Sequence, residues 1–90
     1  MKMRLKAKAN INKKKLDCEG SLEIHWKKST QAYVTWQFFN GDKLIVSKSE
    51  NFFFQEEIEN EDELINRVLK KIEGYKIERT KIFEGIEVYR

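Results

Sequence analysis

The first eleven residues, MKMRLKAKANI, sort by chemistry with a period of two. Met1, Met3, Leu5, Ala7, Ala9 and Ile11 fall on one side of an extended chain, and Lys2, Arg4, Lys6, Lys8 and Asn10 fall on the other. A helix would scatter both sets around its circumference, whereas a strand separates them. The stretch therefore reads as a half-buried β-strand whose outward side is a comb of cations with no acid among them.

The same period recurs downstream. Ser21–Lys27 sets Leu22, Ile24 and Trp26 against Glu23, His25 and Lys27, and Gln31–Phe39 sets Ala32, Val34, Trp36 and Phe38 against Tyr33, Thr35, Gln37 and Phe39. Directly opposed residues of an antiparallel pair share a face. Pairing Trp26 with Ala32 and Ile24 with Val34 therefore unites the apolar sets, through an odd-length loop around Lys28-Ser29-Thr30. Between Asn12 and Gly20, the Lys13-Lys14-Lys15 run, Asp17 and the Glu19-Gly20 pair read as a loop, with Leu16 and Cys18 dipping toward the core. Asn40-Gly41 signals a hairpin into a strand over Lys43–Lys48. A two-residue turn there pairs Trp36 with Ile45. Counting Asp42 into the loop pairs Phe38 with Leu44 and Trp36 with Val46, which hydrophobic matching favours. Asn51–Glu57 reads as a short strand or edge segment, and alternation admits only one parity of Phe52-Phe53-Phe54 to the core.

A helix follows. Asn60 is its expected N-cap, Glu63 stands at the capping-box position, and Glu61 and Asp62 suit the positive end of the dipole. Leu64, Ile65, Val68, Leu69 and Ile72 form one apolar stripe, with Arg67, Lys70 and Lys71 outside it and Gly74 able to end the helix. Tyr75–Phe83 and Ile86–Arg90 read as a hairpin around Glu84-Gly85. The order β-β-β-β-(β)-α-β-β predicts an α+β fold: a single antiparallel, strongly curved sheet with one amphipathic helix packed on one face. Residues 1–90 are expected to form one compact domain.

Composition narrows the function. Cys18 and His25 are the sole cysteine and histidine, too few for a zinc site, and no acidic calcium loop is present, so neither metal nor cofactor is expected. No Ser-His-Asp set, phosphate loop or activated cysteine is evident, so the chain reads as non-enzymatic. Charge interrupts every apolar run, which argues against a signal peptide or membrane span and for a cytoplasmic protein. The formal net charge of +3 matters less than its placement. Lys2, Arg4, Lys6, Lys8, Lys13, Lys14 and Lys15 crowd the first sixteen residues, and Glu50, Glu56, Glu57, Glu59, Glu61, Asp62 and Glu63 crowd the stretch from Glu50 to Glu63.

Three readings follow. A nucleic-acid-binding module would track phosphates with Lys2, Arg4, Lys6, Lys8, Lys13, Lys14, Lys15 and Lys27, alternate comb residues lying roughly 6.6 Å apart, and stack bases on Tyr33 and Phe39. Against it, lysines on an edge strand also serve to prevent aggregation. A protein-binding inhibitor or adaptor of a nucleic-acid-handling partner, in the style of those carried by phages and mobile elements, would use Phe52, Phe53 and Phe54 as anchors beside Glu56, Glu57 and Glu59. Against it, core filling and a solvated loop account for the same residues. The third reading is a self-associating structural domain that forms a homodimer through an edge strand or sheet face. The protein-binding reading leads.

Overall fold

The computed structural model describes residues 1–11, 13–73 and 83–89. Strands β1 (Lys2–Ile11), β2 (Lys14–Lys28), β3 (Gln31–Asn40) and β4 (Lys43–Phe53) precede helix α1 (Glu61–Glu73) and strand β5 (Phe83–Tyr89). They form one antiparallel sheet in the order β4-β3-β2-β1-β5. A meander of four strands is thus extended on its β1 side by the strand that follows the helix. The fold is α+β, mostly sheet, with one helix among the described residues.

One sheet face is apolar. Leu5, Ala7 and Ala9 of β1, Cys18, Leu22 and Ile24 of β2, and Ala32, Val34, Trp36 and Phe38 of β3 are buried there with Leu64, Ile65, Val68, Leu69 and Ile72 of α1. The helix presents the stripe that its spacing predicts. Asn60 caps it: its side-chain Oδ1 accepts from the Glu63 N–H at 2.9 Å. Glu63 reaches back to the Glu59 N–H at 3.4 Å, one residue earlier than a capping box would place it. Asn60→Ala should cost about 1 kcal/mol, measured by urea unfolding.

Four expectations are corrected. Residues 14–20 are strand, not loop: Ile11 pairs with Lys14 and the ladder runs unbroken to Lys2 opposite Glu23. Lys13, at φ 63°, takes the left-handed conformation that so short a connection needs. The β3–β4 turn is Gly41-Asp42, closed by Asn40 opposite Lys43, with Gly41 at φ 57°. A register shift then sets Phe39 opposite Leu44 but Phe38 opposite Val46 and Trp36 opposite Lys48. Ile45 is the extra residue of a bulge, and neither register derived from turn length holds. The Phe52 segment is not a separate strand; β4 runs through to Phe53. Glu84-Gly85 is no turn either, because β5 passes straight through it beside β1, with a shift at Asn10/Ile11. Gly74 and the strand expected from Tyr75 lie outside the described residues, apart from Phe83.

The β2–β3 hairpin follows expectation, with Trp26 opposite Ala32 and Ile24 opposite Val34. Lys28 pairs with Gln31 across a two-residue turn, and Lys27 falls at the register shift that makes the intervening count odd.

Candidate functional site

Among the described residues the second sheet face carries no helix, and its side chains form rows across the strands. Lys2 stands opposite Glu23, Lys6 opposite Glu19 and Lys8 opposite Asp17. On the other side of β1, Glu87 of β5 is the register partner of Lys8. Arg4 alone of the comb faces a neutral β2 residue, Ser21. All four cations are exposed, with Leu5 and Ala7 buried and Met3 half-buried behind them. Opposite charges directly across a ladder stabilise it by roughly 0.2 to 1 kcal/mol each, and three acids on the neighbouring strand lower the net charge of the four-cation comb. Asp17 and Glu19 escape a sequence reading that takes residues 12–20 as loop. Their signal was nevertheless present, since Asp17, Glu19, Ser21 and Glu23 alternate with Leu16, Cys18, Gly20 and Leu22.

Further across, the face becomes neutral. Thr35 and Ser49 hydroxyls lie 2.9 Å apart, Gln37 Nε2 donates to Ser47 Oγ at 3.2 Å, and Gln31 Nε2 donates to Asn51 Oδ1 at 3.2 Å. Tyr33 and Phe39 are half-buried near opposite ends of β3. Tyr33 neighbours His25, ring centroids 6.5 Å apart, and His25 Nε2 is 3.0 Å from Glu23 Oε1. Phe39 joins Arg4, Lys6, Glu19 and Ser21 around a shallow open groove. Lys13, Lys14 and Lys15 lie together at the far tip of the β1–β2 hairpin, and Lys27 lies at the opposite end of β2. Of the ten residues of the nucleic-acid reading, Arg4, Lys6 and Lys8 therefore come together with Phe39 along open grooves that Asp17 and Glu19 also line, whereas Lys13, Lys14, Lys15, Lys27 and Tyr33 lie at other ends of the sheet.

The second candidate set is closer together. Phe52 and Phe54 belong to the core, at 6% and 8% exposure, and are not available as surface anchors. Phe52 packs 5.5 Å from Trp36, and the Lys71 ammonium lies 5.9 Å from the Phe52 ring and 5.8 Å from that of Phe54. Phe53 has the other parity and is 64% exposed, opposite Gln31 on the uncovered face. The chain beyond it is pinned to the β2–β3 turn. Phe54 N–H donates to Thr30 O at 2.9 Å and Ile58 N–H to Ser29 O at 2.8 Å, with Ile58 buried. Between those pins Glu56 and Glu57 are exposed, as is Glu59 just beyond. Arg67 Nη2 reaches Glu56 at 3.3 Å and Glu63 at 3.7 Å, which ties the segment to the helix. The result is an exposed aromatic ring on a strand end followed by carboxylates held in place by backbone hydrogen bonds.

Among the described residues no group of three or more His, Cys, Asp and Glu is placed to hold a metal. No helix among them is long and apolar enough to cross a membrane. Cys18 is buried, and burial pushes its thiol pKa up, with Asp17 adding to the shift and a backbone hydrogen bond from Ala9 opposing it. The thiol is protonated at neutral pH and should react with thiol reagents only at the rate at which the fold opens. Comparison with protein-family models, curated proteins and solved structures finds no match to this chain.

Proposed function

We propose that this chain is a non-catalytic binding domain, an inhibitor or adaptor that docks on a protein partner through Phe53 and the acidic segment Glu56, Glu57 and Glu59. The observation that carries the reading is Phe53. It is a large apolar side chain, 64% exposed, beside a backbone-pinned run of carboxylates. An aromatic that fills a partner's recess while a charged rim excludes water is how interface energy concentrates. The carboxylates select a basic partner surface, such as the one with which a nucleic-acid-handling protein holds phosphate.

A photo-crosslinking phenylalanine analogue at position 53, with the same probe at Ser21 of the open sheet face as control, tests this in the cells that make the protein. An adduct formed from position 53, absent from position 21 and lost on Glu57→Lys/Glu59→Lys, is the expected result. Crosslinking from position 21 alone, or an adduct indifferent to the charge reversal, overturns it. Titration with a single-stranded oligonucleotide addresses the competing reading. With Lys2, Lys6 and Lys8 offset by opposed acids, the slope of log affinity against log salt should be about −0.7, against about −3 for four phosphate contacts.

A further inference from the structure

Strand β4 lies at the edge of the sheet among the described residues, and its central sequence is self-complementary about Ser49. Reading outward, Ser49 is flanked by Lys48 and Glu50, then by Ser47 and Asn51, then by Val46 and Phe52. Each step pairs like polarity with like, except the first, which pairs opposite charges. Lys48, Glu50, Val46 and Phe52 share the helix-bearing face, since their register partners on β3 are Trp36, Val34, Phe38 and Ala32. Ser47, Ser49 and Asn51 share the open face, opposite Gln37, Thr35 and Tyr33.

We propose that β4 pairs antiparallel with β4 of a second copy of this chain, about a two-fold axis through Ser49. A two-fold normal to the sheet sets each residue opposite one of the same parity. Only the axis at Ser49 then opposes the charges favourably, Lys48 to the partner's Glu50 and Glu50 to the partner's Lys48. An axis through Lys48 sets that lysine against its own copy, and one through Glu50 sets that glutamate against its own copy. An axis through Ser47 or Asn51 sets both charges against apolar or unlike-faced positions. The chosen register also sets Val46 against the partner's Phe52 and Ser47 against the partner's Asn51. The bulge at Ile45 limits the regular pairing to residues 46–52. So short an interface makes a weak dimer, with both helices on one face of a continuous sheet. Inward-facing charges on an edge strand ordinarily prevent such pairing. Here their order along the strand permits it in one register and forbids the neighbouring ones.

The test is a charge swap read by analytical ultracentrifugation across a concentration series. The wild-type chain should dimerise reversibly. Lys48→Glu and Glu50→Lys should each weaken the dimer about tenfold or more, since each replaces both attractions by repulsions, and the double variant should restore it. Ser49→Cys should form a disulfide-linked dimer under oxidised glutathione, and Ser47→Cys should not, because Ser47 faces the partner's Asn51. A chain monomeric at every concentration overturns the proposal, as do a double variant that fails to recover and equal crosslinking at positions 47 and 49. Phe53 and the acidic segment lie outside residues 46–52, so this proposal and the docking surface fail independently. Glu57→Lys/Glu59→Lys should leave the dimer intact.

Discussion

Gly20→Ala should destabilise the fold by about 2 to 3 kcal/mol, read as a fall in the urea midpoint at unchanged slope. In a strand position without close neighbours the same change stabilises by roughly 0.4 to 1 kcal/mol, because it restricts the unfolded chain, so the sign alone is informative. Gly20 sits between Leu5 and Phe38 in the ladder. A methyl group there would overlap Cδ1 and Cε1 of the Phe38 ring and stand 2.8 Å from the Gln37 carbonyl oxygen. The ring is fully buried, so moving it means displacing packed neighbours, and the carbonyl is β3 main chain rather than the end of a flexible side chain. Phe38→Ala should itself cost about 3 to 5 kcal/mol by leaving a cavity, but that cavity admits the methyl. The double variant should therefore be more stable than the two single effects predict, by about 1 kcal/mol or more. Strict additivity would show that the ring does not rest on Gly20.

The three consecutive phenylalanines should separate cleanly. Phe52→Ala should cost about 3 to 4 kcal/mol, since the ring fills the space beside Trp36 under the helix. Phe54→Ala should cost somewhat less, as its ring is the most exposed of the buried set at 8%. Phe53→Ala should change stability by no more than about 0.5 kcal/mol. It should lower partner affinity at least tenfold, which corresponds to about 1.4 kcal/mol. Urea unfolding of the three variants, together with capture efficiency of the Phe53 variant, checks both halves. A Phe53 variant that unfolds while the Phe52 variant survives would reverse the parity of β4. A stable Phe53 variant with undiminished capture would leave the fold intact and remove the anchor.

Legibility in the sequence follows the strength of each local signal. The comb of β1, the register of Trp26 on Ala32, the cap at Asn60 and the buried stripe of α1 were all readable, because each rests on side-chain periodicity or a capping preference acting within a few residues. The strand over residues 14–20 was missed for two local reasons. Lys13-Lys14-Lys15 has low strand preference, and Gly20 ordinarily marks a turn; here the glycine is needed by a ring on the next strand. The β3–β4 register failed for a similar reason. A bulge at Ile45 adds a residue that no turn rule counts, and it is the apolar match of Val46 to Phe38 that accounts for it. Of the two candidate sites, Phe53 was visible as one of two parities but not as the exposed one. Asp17 and Glu19, two of the three acids opposite the comb, were hidden by the missed strand.

Sequence alone therefore determined which side of β1, of β3 and of the Ser21–Lys27 part of β2 is apolar and which face of the helix enters the core, since both follow from period and polarity within one element. Only the tertiary structure decided what each charged residue faces. Lys2, Lys6 and Lys8 are cations in any reading of the chain, yet the ladder that sets Glu23, Glu19 and Asp17 across from them turns a purely basic comb into rows of mixed charge. Pairing between strands depends on turn length, bulges and the demands of the opposite face together, and no single stretch of the chain contains that information.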